Sequence, residues 1–559
     1  QEGFLKGNVI NETYKKFVGT HAKAVAEAVS EYTNIHSLIL TNEAIYNTIY
    51  YTYGKQTFKD DFISWLREKY NCPNSEYVPD EMRTNWGSYA PAKWANVSMP
   101  AANAISANGR FWDWMEYNNH IFGDFHKFLA DKVHEADSDI KVTTKLYDNS
   151  FSHDKLDYGT DVEDFYSLLD YNGFDGGMSY ASSREGYLHI RMAEDLANSI
   201  SDKPTVNSEN HILPDDCTDY SDKHALVAGA DLWQGFIHGR TASAAWVWRR
   251  HDTYAEYRNS IAYRPDLIAN MSNKLMNANL YSDEIEKLQN QERHFYILYS
   301  RAALLYNQYS YMSACNNAYE TLWSVGQRAS FITERQIAAG KLPNDAVLII
   351  PSVKNIEGCA AENIAAFGGR TVIIGNAPAK NEYNRAILLE FADAVTVADD
   401  IAEIRTAYED CMGNIPYITV RDENGALVDM TDIRAAADGN GVIVNMCNNT
   451  WDTKQNLSVY YGRNKLGGGY DILNGAEVEN TFDLTPFEPM LLKFSDDAAI
   501  VPTKSADIGS WTRVDSLNKD NMVYDTVNPV SDETYGSAID AIKQSDRIND
   551  SRLGIRQDI

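Results

Sequence analysis

Two stretches of the chain, Ile35-His-Ser-Leu-Ile-Leu-Thr-Asn-Glu43 and Lys203-Pro-Thr-Val-Asn-Ser-Glu209, each place a glutamate directly after a short strand-like run. Short apolar runs bounded by polar residues are typical of buried strands, and His36 inside the first run is predicted to be a core histidine. Three more such runs lie at residues 139–147, 174–180 and 244–248. Helical stretches at 59–70 and 121–135 lie between the first two. Parallel strands need such crossovers, so the alternation predicts repeated βα units.

A (β/α)8 TIM barrel is the architecture that this α/β pattern predicts for residues 1–280. Five strands are too few, because a barrel of eight units needs about 250 residues, or roughly 30 per unit. The residues before Ile35 hold only one helical stretch, at 13–32. We therefore expect the N-terminal part of the barrel to be missing from this chain.

The pattern changes twice after the barrel region. Residues 290–410 contain the short apolar runs 346–351 and 369–375, which predict the buried parallel strands of a doubly wound α/β domain. Residues 412–496 alternate in polarity around Asp-Glu-Asn-Gly and Asp-Gly-Asn-Gly turns, which predicts a small antiparallel β domain resembling a sandwich. Residues 497–559 are polar and weakly periodic, and they are interpreted as a tail or linker.

Composition excludes several classes of function. Lys and Arg number 50 against 79 Asp and Glu, and the resulting charge of −29 repels nucleic acid and anionic membrane surfaces. No uninterrupted apolar run reaches the roughly 20 residues that a membrane helix needs. The six cysteines lack CxxC spacing, so no structural zinc site is predicted.

The chain begins at Gln1 without an initiator Met, so it is expected to be processed or to start partway through a longer product. A secreted, extracellular location is slightly favoured over a cytoplasmic one.

Glu43 and Glu209 are the candidate catalytic pair. Both follow predicted barrel strands, and in such barrels the active site is built at the carboxyl ends of the strands. Hydrolysis of a glycosidic bond uses two carboxyl groups, one to protonate the leaving oxygen and one to attack or to activate water. Either glutamate alone would be interpreted as a surface or capping residue. Their shared placement, three βα units apart, favours the catalytic interpretation.

An ordered series of motifs resembles the family 42 β-galactosidases of the retaining barrel glycosidases. The series comprises Asn42-Glu43, Phe58 with residues 62–70, Asn85-Trp86-Gly87, Phe111-Trp-Asp-Trp114, and the stretches 142–144, 230–248 and 295–300. Residues 342, 348–351 and 368–369 resemble that family's trimerisation domain, and stretches between 442 and 486 resemble its small C-terminal β domain. The resemblance covers about residues 13–495. The cysteine cluster that binds zinc in some relatives is absent, since Cys72 stands alone.

The resemblance implies roles for individual residues. Glu43 would be the general acid/base at the end of strand four, and Glu209 the nucleophile at the end of strand seven. Asn42 would hydrogen-bond the sugar 2-hydroxyl. Trp246 or Trp248 would form an apolar platform after strand eight, although packing inside the barrel is an equally good interpretation for one of them. Asp175 and Tyr180 would line the pocket, or would have a structural role.

The implied function is hydrolysis of terminal β-linked galactose by double displacement, without a cofactor. One alternative is the same mechanism on another β-glycoside, such as a β-glucoside or an algal galactan. A second alternative is a catalytically inactive carbohydrate-binding or scaffold protein. The implied partners are an oligo- or polysaccharide substrate, two further copies in a homotrimer, and a separate N-terminal segment of the same product that supplies the first three strands.

Overall fold

The computed structural model describes residues 8–494 except 47–53, 101–108, 153–157, 178–183, 216, 218–219, 249–259, 414, 416 and 440. The α-helices span Glu12–Val29, Gln56–Lys69, Asp80–Trp86, Arg110–Ala136, Val162–Leu168, Arg184–Ile200, Asp222–Ile237, Pro265–Leu280, Ser282–Gln289, Arg301–Ser324, Glu334–Ala338, Gly358–Ala365 and Ile401–Met412. The predicted tail at 497–559 lies outside the described residues. Within the described part of the chain, no helix is long and apolar enough to cross a membrane.

Five parallel strands form the barrel portion, in the order of the sequence. They are β1 (Leu38–Ile39), β2 (Val142–Thr143), β3 (Asn172–Gly176), β4 (Thr205–His211) and β5 (Arg240–Trp246). β1 pairs with β2, β3 pairs with β4, and β4 pairs with β5. A bridge between Leu146 and Phe174 joins the two groups. The described strands therefore form an open five-stranded sheet whose edges are β1 and β5.

The first predicted strand is more exposed than its sequence indicates. Ile39 is 49% exposed and His36 is also exposed, stacked on Tyr171 with ring centroids 4.9 Å apart. The prediction of a buried run with a core histidine was wrong here. The reason is that β1 lies at an edge, where no strand among the described residues covers its outer side.

Close backbone approach joins β2 to β3 at a glycine. A Cβ atom on Gly173 would lie 2.2 Å from the carbonyl oxygen of Thr144 and 2.3 Å from Oγ1 of Thr143. No side chain fits there without moving the strands apart. Gly173 therefore fixes the spacing of the sheet just before the residues that form the site.

The aromatic motifs after β1 pack around one buried carboxylate. Asp113, on the Arg110–Ala136 helix, accepts hydrogen bonds from Lys69 at 2.7 Å, Tyr70 at 2.7 Å, Trp86 at 2.6 Å and Tyr383 at 3.0 Å. A buried carboxylate needs such partners, and here they come from three separate segments. These motif residues therefore hold the barrel helices together and tie them to the next domain.

The second unit is an α/β domain with a five-stranded parallel sheet in the order β12-β10-β8-β6-β7. Its strands are β6 (Phe295–Tyr299), β7 (Ala329–Thr333), β8 (Val347–Pro351), β10 (Arg370–Ile374) and β12 (Ala394–Val397), and β9 (Asn355–Ile356) pairs with β11 (Lys380–Asn381) beside it. Every residue of β8 is buried, as expected for a strand covered on both faces. β8 and β10 lie at the two apolar runs that predicted this domain.

The third unit consists of antiparallel strands. They are β13 (Ile418–Asp422), β14 (Thr431–Asp438), β15 (Gly441–Asn448), β16 (Gln455–Tyr461), β17 (Asn464–Lys465), β18 (Gly469–Asp471), β19 (Ala476–Val478), β20 (Phe482–Leu484) and β21 (Met490–Phe494). One sheet has the order β14-β15-β21-β18-β19, and the other has the order β13-β16-β17 with β20 paired to β16. The fold class is therefore the predicted one: a barrel portion, then an α/β domain, then a small antiparallel β domain.

A buried charged network joins the barrel portion to the β domain. His238, after the Asp222–Ile237 helix, lies with Nδ1 2.9 Å from Asp195 and Nε2 2.7 Å from Asp432. Arg434 donates to Asp195 at 2.7 Å, and the hydroxyl of Tyr319 donates to the same carboxylate at 2.5 Å. Burial alone lowers the pKa of His238, but Asp432 and Asp195 together raise it above its ordinary value.

Candidate active site

Glu43 follows β1 in an unusual backbone conformation. Its φ angle is +44°, in the left-handed region that residues other than glycine seldom adopt. Such conformations cost roughly 1–3 kcal/mol and cluster at functional sites. Thr41, two residues before Glu43, is held in place because its hydroxyl lies 2.5 Å from that of Thr144 and 2.7 Å from Nε2 of the buried His126.

Glu209 lies within β4, where the sheet register is irregular on both sides. The pairing with β3 shifts between Phe174 and Asp175, and the pairing with β5 shifts between Asn207 and Asn210. Irregularities of this kind re-aim side chains and are common beside active sites. Here they occur at the carboxyl ends of the strands, where a barrel builds its site.

Three carboxylates converge at this end of the sheet. One oxygen from each of Glu43, Asp175 and Glu209 lies within 4.8 Å of the others. Asp175 is buried, whereas Glu43 and Glu209 are half-buried and face partly toward solvent. The sequence predicted all three as site residues, and the structure brings them together. Two carboxyl groups this close together can flank a glycosidic bond.

Lys145 is the cation of the cluster. Its ammonium contacts Oε2 of Glu209 and lies 3.8 Å from Oδ2 of Asp175, and its side chain is only 3% exposed. Burial lowers the pKa of Lys145, and the neighbouring charges of Asp175 and Glu43 oppose that change. Lys145 was not among the residues predicted from the sequence. The signal for it was a lysine between Thr144 and Leu146, inside a strand predicted to be buried.

The three carboxylates are also the place where the described residues could hold a metal ion, since hard divalent cations prefer oxygen ligands. The ammonium of Lys145 already supplies positive charge at this position. No separate metal role follows from the cluster.

His211 is the second residue that sequence reasoning missed. Its Nε2 lies 3.2 Å from Oε1 of Glu209, and its Nδ1 lies 3.6 Å from Oδ1 of Asp215. Because side chains alternate along a strand, residues 209 and 211 share one face. The two-residue spacing of Glu209 and His211 in a strand-like run was the sequence signal that could have identified His211.

Asn210, between the two, points the other way and anchors β4 in the protein interior. Its side-chain amide donates to Asp231 at 2.7 Å and to the hydroxyl of Ser243 at 3.0 Å. Asp231 in turn is held by the guanidinium groups of Arg191 and Arg240. This buried network fixes the strand that carries Glu209.

The other predicted site residues occupy different surroundings. Asn42 is exposed beside Glu43. Trp246 ends β5 with a cis peptide bond to Val247, and its ring centroid lies 6.0 Å from that of His211. Trp248 lies beyond the strand and packs on an apolar cluster that includes Leu232 and Leu267, so the structure does not bring it to the carboxylates. Tyr180 lies outside the described residues.

Comparisons with known proteins give a family and a fold. Residues 7–267 match the model of glycoside hydrolase family 42, described as Beta-galactosidase. The comparison with curated proteins finds no significant match.

Among solved structures, an exo-carrageenase of glycoside hydrolase family 42 from Bacteroides ovatus is 20% identical, with a TM-score of 0.74 over 87% of this chain and 70% of that chain. A β-galactosidase from Bacillus circulans sp. alkalophilus is 14% identical, with a TM-score of 0.67 over 88% of this chain and 83% of that one. A β-galactosidase from Rahnella sp. R3 is 13% identical, with a TM-score of 0.66 over 87% and 82%. At these identities the likeness shows a shared fold.

Proposed function

Residues 7–267 of this glycoside hydrolase belong to family 42, and we propose from that premise that the protein is a retaining β-glycosidase acting on terminal β-linked galactose. Glu209 is the nucleophile and Glu43 the general acid/base in this proposal. The observation that carries it is the approach of carboxylate oxygens of these two residues to within 4.8 Å. Retaining enzymes place their two carboxyl groups about 5–5.5 Å apart, whereas inverting enzymes separate them by roughly 6.5–9.5 Å.

The reaction would proceed in two displacements. A carboxylate oxygen of Glu209 attacks the anomeric carbon while Glu43 gives its proton to the departing glycosidic oxygen, which leaves a galactosyl ester on Glu209. A water then loses a proton to Glu43 and attacks the same carbon, which releases galactose and restores both carboxyl groups. Two inversions give net retention of configuration.

The choice of galactose rests on the description of the matching family. The likeness to an exo-carrageenase supports including algal galactan among the alternative substrates. Pocket side chains decide between such sugars, because one fold hosts many specificities. Among the predicted binding residues, Asn42, Asp175 and Trp246 lie beside the catalytic pair and are proposed to contact the sugar.

We also propose that the open sheet is closed by further βα units between β1 and β5, supplied by a segment of the same product. Parallel sheets are normally buried on both faces. The outer edge of β1 pairs with no further strand among the described residues, and barrels remove such edges by closure. Ile35 and Ile39 are exposed at that edge.

The α/β domain is proposed to assemble the chain into a homotrimer.

Aryl β-glycosides with good leaving groups test the catalytic assignment. Glu209→Ala should have no measurable turnover, and added azide should not restore a product of retained configuration. Glu43→Ala should keep the first step on these substrates, since a good leaving group needs little protonation. Glu362→Ala, which changes an exposed glutamate of the α/β domain, is the control and should match the wild type. Full activity of Glu209→Ala would overturn the proposal.

A further inference from the structure

We propose that Lys145 is the positioning residue of the nucleophile, which keeps Glu209 ionised and turned toward the substrate in the presence of two other carboxylates. The proposal rests on the function proposed above and adds to it a residue that the resemblance to the family did not supply.

Glu209 lies in an environment of negative charge. Glu209 has oxygens of both Glu43 and Asp175 within 4.8 Å. Like charges at such distances disfavour the ionised form of a carboxyl group, and only the ionised form of Glu209 can attack. A cation in contact reverses that penalty. Of the described residues, Lys145 is the one whose ammonium lies among these carboxylates, and it touches Glu209 itself.

Both carboxylate oxygens of Glu209 have a neighbouring side chain. Lys145 contacts Oε2 of Glu209, while His211 lies 3.2 Å from Oε1. Contacts to both oxygens restrict rotation of the carboxylate, as a nucleophile that must meet one carbon atom requires. Asp175, 3.8 Å from the ammonium, orients the lysine in turn.

Lys145 and Glu209 are both largely shielded from solvent. The side chain of Lys145 is 3% exposed and that of Glu209 is 14% exposed, so water screens this pair weakly. Burial lowers the pKa of Lys145 and so limits how strongly it holds its proton, whereas Asp175 and Glu43 favour the charged form. Asp175 and Glu43 therefore offset part of the effect of burial on the charged lysine.

Two variants at position 145 and one elsewhere test the proposal. Lys145→Met keeps the aliphatic chain and removes the charge, and Lys145→Arg keeps the charge. The control is Lys203→Met, because Lys203 is a partly buried lysine of the same barrel portion that donates to the backbone carbonyls of Tyr166 and Ser167. The dependence of kcat/KM on pH is measured with an aryl β-glycoside, because its acidic limb reports the ionisation of essential groups in the free enzyme.

We expect the acidic limb of Lys145→Met to move to higher pH by about one unit or more, since the carboxyl group loses its cation and keeps two like neighbours. We expect kcat to fall by roughly tenfold or more while KM changes little, as for an interaction that acts in the transition state. Lys145→Arg should return the limb to the wild-type position. Lys203→Met should leave the limb in place, although it can lower the melting temperature.

An unchanged acidic limb with a nearly wild-type kcat in Lys145→Met would overturn the inference. If that variant does not fold, as judged by circular dichroism, Lys145→Gln replaces it, because glutamine keeps a hydrogen-bond donor without the charge. The acidic limb and kcat of Lys145→Gln are then judged in the same way.

Glu209→Ala is measured in the same series. If Glu209→Ala is active, the proposed function fails; if it is inactive while Lys145→Met behaves as wild type, only the role of Lys145 fails.

Discussion

The imidazole Nε2 of His211 lies 3.2 Å from Oε1 of Glu209, two residues earlier on the same strand. The alternation of side chains along β4 brings the pair to one face, so the strand itself supplies a hydrogen-bonding partner for the carboxylate. The ring of His211 also lies beside Trp246, at the end of the neighbouring strand.

His211→Phe is predicted to lower kcat/KM by roughly 10- to 100-fold, the equivalent of a hydrogen bond to a charged group of about 1.5–3 kcal/mol. Phenylalanine keeps a ring beside Trp246 but removes both ring nitrogens. Initial rates on an aryl β-galactoside provide the measurement. His120→Phe, at a half-exposed helix position, is the control and should change little. A rate for His211→Phe within about twofold of wild type would show that the contact has no role in catalysis.

Gly173→Ala is predicted to lower the free energy of unfolding by about 1–3 kcal/mol, because the added methyl group would collide with the backbone of Thr144 and force β2 away from β3. Since Lys145 follows Thr144 directly, activity should fall as well. The matched control is Gly368→Ala, where a Cβ meets no atom within 4 Å. Urea unfolding compares the two variants, and equal stability would contradict the close approach of the strands.

His238 is predicted to make stability depend on pH. Its pKa is raised above the ordinary value of 6.5 by Asp432 and Asp195, so the protonated form stabilises the folded state. That contribution is fully present below pH 6.5 and is lost as pH rises through the higher folded-state pKa.

The test compares wild type with His238→Gln by urea unfolding, from pH values below 6.5 to pH values above the folded-state pKa of His238. The difference in unfolding free energy should be largest on the acidic side and should shrink as pH rises. Asp195, Asp432, Arg434 and Tyr319 surround the imidazole and are unchanged in both proteins. A difference that grows with pH would show that neutral His238 is the stabilising form.

The proposed homotrimer predicts a particle of three times the chain mass in multi-angle light scattering at working concentration. A clean monomer mass would remove the trimer from the account and leave the catalytic assignment untouched.

The sequence predicted the elements whose signal is local. Glu43 and Glu209 were predicted as the candidate pair because each directly follows or ends a strand-like run. β8 was predicted because a fully buried parallel strand is apolar throughout. Lys145 was missed because its importance arises from contacts with Glu209 and Asp175, which are distant in sequence. The pattern of residues around Lys145 in the sequence does not show that it contacts Glu209 or Asp175.

The sequence left open which of Trp246 and Trp248 packs inside the protein. β5 ends at Trp246, and Trp248 beyond it packs on an apolar cluster. One prediction was wrong. His36 was predicted to be buried because its neighbours are apolar, yet β1 is an edge strand. Whether a strand is central or at an edge depends on the whole sheet.

Trapping the covalent intermediate tests whether Glu209 is the nucleophile of a retaining enzyme. The protein is incubated with a 2-deoxy-2-fluoro-β-galactosyl donor that carries a good leaving group, and the labelled peptide is then sequenced by mass spectrometry. The account predicts one fluorogalactosyl group per chain, attached to Glu209. A label on Glu43 or Asp175, or substrate turnover without any covalent adduct, would contradict it.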